Sequence, residues 1–151
     1  MHSKSIAHRD IKLENVLVDQ KSKQVKLIDF GFCSQSQQKL RIFCGTPSYM
    51  SPEIVSKREY FGPSSDIWAC GVLFFALVCG TFPFRSPFEK ELYLKIQRGQ
   101  YSFCNNIVSE EGKQLVGRML VTDPKKRITA EDILLHGWFR KFLPKSKLQS
   151  Q

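Results

Sequence analysis

Several patterns are missing from this sequence, and each absence argues against a class of protein. No two of its five cysteines have CxxC spacing, and their number is odd: Cys33, Cys44, Cys70, Cys79 and Cys104. Neither a zinc site nor a disulfide framework is indicated, so we interpret the cysteines as reduced thiols of an intracellular, cytoplasmic protein. Internal repeats are also missing, which argues against a repeat architecture.

Long hydrophobic runs are missing as well. The longest, 67–79, has thirteen residues, whereas a helix that spans a bilayer needs roughly 18–20. Residues 1–4 contain no apolar stretch of a signal peptide. We therefore expect no membrane partner and interpret 67–79 as a buried core helix.

What the sequence does contain is typical of one globular domain. Its 151 residues are 42% hydrophobic and include twelve phenylalanines, which is enough to form a core. The formal net charge of +9 would suit nucleic acid or an acidic partner. No predicted helix has a basic stripe interleaved with aromatic residues, so a nucleic-acid binder is an alternative that we do not favour. We expect a lysine-rich surface and no nucleic-acid partner.

The hydrophobic pattern predicts a fold that is mainly α with a small β hairpin. Two β-rich runs, 16–18 and 25–28, flank a polar turn, and a polar loop follows over about 31–45. Helix start and stop signals then predict a series of helices at 64–80, 87–99, 109–120 and a shorter one from 129.

Three short segments stand out for their chemistry. They are His-Arg-Asp-Ile-Lys-Leu-Glu-Asn at 8–15, Asp-Phe-Gly at 29–31 and Ser-Pro-Glu at 51–53. Their order and spacing resemble the catalytic loop, the metal-binding turn and the end of the activation segment of protein kinases. Further matching segments lie at 45–49, 66–71 and 123–127. Asp-Phe-Gly-Phe at 29–32, Cys-Gly-Thr-Pro at 44–47 and Leu-His-Gly-Trp-Phe at 135–139 look most similar to the calcium/calmodulin-dependent and AMP-activated kinase group.

The resemblance runs from residue 2 to about residue 139 and implies a protein-kinase-like C-terminal lobe over 1–143, with a polar tail at 144–151. The sequence contains no glycine-rich phosphate loop and no Val-Ala-Ile-Lys lysine. We therefore expect the N-terminal lobe to be absent from this chain. A missing N-lobe or a regulatory partner would complete the site, and the 151 residues alone should not catalyse protein phosphorylation.

The resemblance assigns roles to individual residues. Asp10 would accept or orient the proton of the attacking hydroxyl, and Lys12 would place a cation near the transferred phosphate. Asn15 and Asp29 would hold Mg²⁺, and Leu17 would form the floor under the adenine of ATP. The implied cofactors are ATP and Mg²⁺. Taken singly, Asp10 would be a surface-turn residue, Asn15 a strand-edge cap and Leu17 a core residue.

Substrate residues follow from the same resemblance. Lys12 and Thr46 match the serine/threonine branch of the family, which phosphorylates protein substrates. Glu14 matches a residue that contacts an arginine upstream of the phosphoacceptor, although it would otherwise merely cap the loop. Ile42 stands where a phosphorylatable threonine is common, so we expect activity without phosphorylation at 43–46.

A last group of residues matches structural positions of the family: His8, Arg9, Phe30, Gly31, Glu53, Asp66 and Arg127. Glu53 and Arg127 match a buried ion pair, or else they are two unrelated surface charges. Asp66 matches a residue that hydrogen-bonds the catalytic-loop backbone, although a helix N-cap is compatible with it. The sequence thus predicts a protein serine/threonine kinase, and the alternative is an inactive, kinase-derived binding or scaffold module.

Overall fold

The computed structural model describes residues 1–103 and 108–140, so the tail predicted at 144–151 lies outside the described residues. The strands are β1 Ile6–Ala7, β2 Val16–Val18, β3 Val25–Leu27 and β4 Ser34–Gln35. The α-helices are α1 Pro52–Val55, α2 Gly62–Cys79, α3 Glu89–Arg98, α4 Glu110–Met119, α5 Ala130–Leu135 and α6 Gly137–Arg140. Short 3₁₀ turns cover His2–Lys4, Leu13–Asn15 and Pro47–Tyr49. The prediction of a mainly α fold with a small hairpin is confirmed.

The strands form two small antiparallel sheets. β2 pairs with β3 as predicted, with Val16 opposite Leu27 and Val18 opposite Val25. Asp19 tightens the connecting turn because its carboxylate accepts a hydrogen bond from the Lys21 N–H at 2.8 Å. The sequence did not predict the second sheet, in which β1 pairs with β4. Strands of two residues are too short to show the period of two by which strands are recognised.

The central helix, α2, begins earlier than predicted. Its first turn contains Pro63, whose fixed φ suits that position, so the cap signal at 64–66 lies inside the helix. The N-cap interpretation of Asp66 is therefore wrong, and this carboxylate is available for other partners. The predicted end is confirmed, since Gly80 terminates the helix in the left-handed conformation at φ 69°.

α2 is also the core of the chain. At 18 residues and a mean hydropathy of 1.5 it has the length and composition of a membrane span, but half of it is buried inside the protein, as in the core helix of a globular domain. Trp68, Val72 and Phe75 are at most 1% exposed. Trp68 stacks on Phe84 with ring centroids 5.5 Å apart. The loops of the N-terminal half pack against this helix.

Helices α4 and α5 have the predicted side-chain caps. Ser109 caps α4 by accepting from the Gly112 N–H at 3.2 Å, and Thr129 caps α5 by accepting from the Asp132 N–H at 3.2 Å. Each such cap contributes about 1 kcal/mol to stability. Gly99 ends α3 at φ 61°.

Candidate active site

The Asp10 carboxylate is the centre of a buried hydrogen-bond network. It lies on the loop between β1 and β2 and is 5% exposed. Lys12 Nζ lies 2.7 Å from Asp10 Oδ2, and Thr46 Oγ1 donates to Asp10 Oδ1 at 3.0 Å. Asn15 Nδ2 donates to Asp10 Oδ2 at 3.2 Å and to the Asp10 carbonyl at 2.9 Å. The structure therefore brings four of the predicted site residues together.

These contacts decide the charge state of the pair. Burial by itself would raise the pKa of Asp10, but hydrogen bonds from Lys12, Thr46 and Asn15 and the charge of Lys12 lower it below its ordinary value. The hydrogen bond to Asp10 in turn raises the pKa of Lys12. Both groups are consequently ionised at neutral pH, so the carboxylate can accept a proton.

Asp29 lies on the turn after β3 and is exposed. Its φ of 61° is left-handed, a conformation that costs roughly 1–2 kcal/mol in most L-residues. Its Oδ1 accepts from the Gly31 N–H at 3.2 Å. A Cβ on Gly31 would lie 3.1 Å from that oxygen, which is closer than ordinary contact, so the glycine leaves room for the carboxylate.

Asn15 and Asp29 have the donor chemistry that a magnesium ion requires. The amide nitrogen of Asn15 is committed to Asp10, so the amide oxygen is what Asn15 can offer, beside the exposed carboxylate of Asp29. No cluster of three or more His, Cys, Asp or Glu with metal-ligand geometry occurs among the described residues. Because Mg²⁺ is commonly held by one or two protein ligands together with phosphate oxygens and water, this small set fits the ion.

Two predicted residues lie outside the hydrogen bonds around Asp10. Leu17 lies on β2 and is 52% exposed, so its interpretation as a core residue is wrong, and its side chain offers an apolar surface. Glu14 is exposed on the 3₁₀ turn Leu13–Asn15. Both side chains face solvent, where a ligand can reach them.

Asp66 fixes the backbone of the loop that carries Asp10. Its Oδ2 accepts from the His8 N–H and its Oδ1 from the Arg9 N–H, both at 2.8 Å. His2 Nε2 lies 2.9 Å from the same Oδ2. No sequence pattern indicated a partner for His2, because the two residues lie 64 positions apart. Arg9 itself has a left-handed φ of 70°, which these bonds help to maintain.

His8 connects the loop that carries Asp10 to the turn that bears Asp29. It is fully buried, and its Nε2 lies 2.9 Å from the Ile28 carbonyl oxygen. Its ring contacts Phe30 edge to face, with centroids 5.0 Å apart. The two segments that carry acidic site residues are therefore held against each other.

Glu53 and Arg127 form a buried, bidentate ion pair. Arg127 donates to the two Glu53 oxygens at 2.8 and 3.0 Å, and both side chains are at most 6% exposed. Arg127 also donates to the carbonyls of Val121 and Ser64 at 3.0 and 2.8 Å. The interpretation of two unrelated surface charges is wrong, because this pair joins α1 to the loop before α5 and to α2.

Comparison with known proteins agrees with this geometry. Residues 1–139 match the protein kinase domain family. The chain is 44% identical, over 97% of its length, to the probable serine/threonine-protein kinase HSL1 of Saccharomyces cerevisiae. It is 43% identical over 93% to CBL-interacting serine/threonine-protein kinase 13 of Arabidopsis thaliana. It is 46% identical over 91% to serine/threonine-protein kinase DCLK3 of Homo sapiens.

The chain spans 10%, 28% and 22% of the lengths of these three relatives. In this chain the three motifs, the Glu53–Arg127 ion pair and the hydrogen bonds around Asp10 occur together. The chain therefore belongs to the protein kinase domain family, among the serine/threonine protein kinases.

Proposed function

We propose that this chain carries the phosphoryl-transfer residues of a kinase that moves the γ-phosphate of ATP to serine or threonine side chains of protein substrates. The observation that supports it is the Asp10 carboxylate, which is buried, ionised and held by three donors at 2.7–3.2 Å. Such a carboxylate can accept or orient the proton of an attacking hydroxyl, provided that the hydroxyl comes within hydrogen-bond distance.

The neighbours of Asp10 have different roles in the proposed reaction. Thr46 and Asn15 donate to different oxygens of the carboxylate, so together they fix its orientation. Lys12 brings a positive charge to the same place, where it would stabilise the negative charge of the transferred group. Thr46 comes from the segment before α1. The activation segment, which the resemblance places between Asp-Phe-Gly at 29–31 and Ser-Pro-Glu at 51–53, must therefore be ordered to complete the arrangement.

Kinases of this family use ATP and Mg²⁺, and the residues present fit both. When bound, Mg²⁺ neutralises negative charge on the phosphates. Asn15 and Asp29 would hold the ion through side-chain oxygens, and Leu17 would cover one face of the adenine.

The direct test is transfer from labelled ATP to a basic protein substrate. It should be run with and without Mg²⁺, on the 151-residue chain and on the longest product that its transcript encodes. We expect phosphoserine and phosphothreonine from the longer product, no phosphotyrosine, and loss of the signal when a chelator removes the metal. From the sequence we expect no turnover by the 151 residues alone. A longer product without transfer, or with transfer to tyrosine only, would contradict the proposal.

A binding module without catalysis is the second candidate, and exposed apolar side chains favour it. On the β2–β3 hairpin, Leu17, Val18 and Val25 are 52–64% exposed, and an apolar surface of this kind suits a protein partner. This candidate would be favoured if a form of the protein without kinase turnover bound a partner protein, and if Asp10→Asn left that binding unchanged.

The exposed position of Glu14 leads to a prediction about substrate choice. We expect a mild preference for an upstream arginine, because an ion pair formed in water contributes only about 0–1 kcal/mol. Glu14→Ala should lower kcat/KM for a peptide with that arginine by roughly two- to fivefold, the equivalent of that energy. Glu131→Ala, on α5, is the control. A peptide-array profile that is unchanged by Glu14→Ala would reject the preference.

A further inference from the structure

The activation segment is tied to the helical part of the chain by backbone and side-chain contacts. Leu40 and Tyr60 form an isolated antiparallel bridge, with N–H to carbonyl distances of 2.8 and 3.2 Å. On either side of Leu40, Lys39 and Arg41 reach Glu59, at 4.0 and 2.7 Å. These ion pairs are exposed and contribute little, so other contacts must hold the next residues.

Those contacts converge on the backbone carbonyl of Ile42. It accepts a hydrogen bond from Tyr60 Oη at 2.8 Å and a second one from Arg9 at 3.2 Å. Arg9 also donates to Cys44 Sγ at 2.7 Å. The Ile42 side chain takes no part, because it is 69% exposed. The carbonyl is thus held from the side of α2 by Tyr60 and from the catalytic loop by Arg9.

The Tyr60 hydroxyl is well suited to this position. The residue is 2% exposed and its bond to the Ile42 carbonyl is partly buried, so water competes for this bond less than for a fully exposed one. Burial raises the pKa of Tyr60 to about 12, and the hydroxyl therefore stays protonated and able to donate at any physiological pH. A phosphate would have to be added to the segment before it could accept a hydrogen bond, whereas the Tyr60 hydroxyl donates without any modification.

We propose that Tyr60 is a positioning residue for phosphoryl transfer. With Arg9 it forms a clasp on the Ile42 carbonyl that orders the activation segment without a phosphate. The segment leads from Ile42 to Thr46, whose hydroxyl donates to Asp10. Loosening the clasp would therefore release a donor from the Asp10 carboxylate. The catalytic part of this inference rests on the proposed function, whereas the structural part does not.

The structural part can be tested on the 151-residue chain by limited trypsin digestion. Lys39 and Arg41 are exposed cleavage sites, and cleavage reports the population of the open segment. We expect Tyr60→Phe to speed cleavage at both sites roughly three- to tenfold, the factor that corresponds to the net contribution of one intramolecular hydrogen bond. The control is Tyr101→Phe, in the aromatic cluster with Phe75 and Phe84, and it should leave the rate unchanged.

Thermal unfolding of each variant shows whether it is folded. If Tyr60→Phe does not fold, Arg9→Lys serves instead, since it loosens the same carbonyl from the other side while keeping the charge. Cleavage at the wild-type rate in a folded Tyr60→Phe chain would overturn the clasp.

The catalytic part is tested in an active, longer product. Tyr60→Phe should lower kcat/KM for the protein substrate with little change in KM for ATP, and phosphatase treatment of the wild type should have no effect. Loss of activity on phosphatase treatment, traced to Thr46 or Ser48, would overturn the proposal. An inactive longer product would instead refute the proposed function, while the trypsin result would still decide the clasp.

Discussion

Asparagine in place of Asp10 is expected to lower kcat by about 10²–10⁴-fold, the usual contribution of a positioned general base. The substitution keeps the size of the side chain but removes the negative charge that faces Lys12 at 2.7 Å. An amide cannot take up the proton of the attacking hydroxyl. The effect should fall on kcat more than on the KM for ATP, because Asn15 keeps its bond to the Asp10 carbonyl at 2.9 Å and the contacts of the Asp10 carboxylate described above do not include Leu17, the expected adenine surface.

The control for this variant is Asp19→Asn. Asp19 is an exposed aspartate in the hairpin turn, and its carboxylate accepts from Lys21 N and Ser22 Oγ at 2.8 Å. Asp19→Asn removes one negative charge, as Asp10→Asn does, but at a site with no contact to Asp10. The kcat of this variant should therefore stay near the wild-type value. Single-turnover assays of both variants, in an active product, provide the measurement. If Asp10→Asn retained more than about a tenth of the wild-type kcat, the proposed role of Asp10 would be wrong.

The helix ends could be predicted because their signals are local. Ser109 and Thr129 accept hydrogen bonds from residues three positions on, and Gly80 and Gly99 adopt a backbone conformation that most other residues avoid. Such signals lie within one turn of helix, so a single sequence shows them. The hairpin of β2 and β3 is local in the same sense.

The start of α2 shows where local signals fail. Ser64, Ser65 and Asp66 have the composition of an N-cap. The Asp66 carboxylate nevertheless binds the backbone of His8 and Arg9, which lie 58 and 57 positions before it in the sequence. A pattern of neighbouring residues cannot show that a distant loop requires the same carboxylate. The contact of His2 with Asp66 was missed for the same reason, and the pairing of β1 with β4 also depends on the tertiary fold, in addition to the shortness of the two strands.

The sequence indicated which residues form the candidate site more fully than it indicated the hydrogen bonds that hold them in place. The chemistry restricts Asp10, Asn15 and Asp29 to a few residue types at fixed spacing, and that spacing carried the resemblance. Their catalytic roles remain predictions, but the structure does place Thr46 against Asp10 across 36 positions. The Tyr60–Ile42 bond had no sequence signal, because its acceptor is a backbone carbonyl that any residue could supply.

Loss of the buried ion pair is expected to have the largest effect on stability. Glu53→Gln should reduce the free energy of unfolding by about 3–5 kcal/mol, because it leaves the charge of Arg127 buried without its partner. The two donors of Arg127 lie 2.8 and 3.0 Å from the Glu53 oxygens. Its remaining bonds to neutral carbonyls cannot replace a full negative charge, and the Trp68 ring 5.1 Å away compensates only in part.

Glu59→Gln is a matched control, because it removes a close ion pair with Arg41, together with the longer one to Lys39 at 4.0 Å, at the surface. Arg41 lies 2.7 Å from Glu59, but the two side chains are 82% and 43% exposed, so water screens the charges and the expected loss is at most about 1 kcal/mol. Urea unfolding of both variants and the wild type gives the two free energies if the slopes agree. The difference in burial, rather than in distance, should thus explain why the two substitutions reduce the free energy of unfolding by different amounts. Equal losses for Glu53→Gln and Glu59→Gln would show that the ion pair between α1 and the α5 loop does not hold the helical part together.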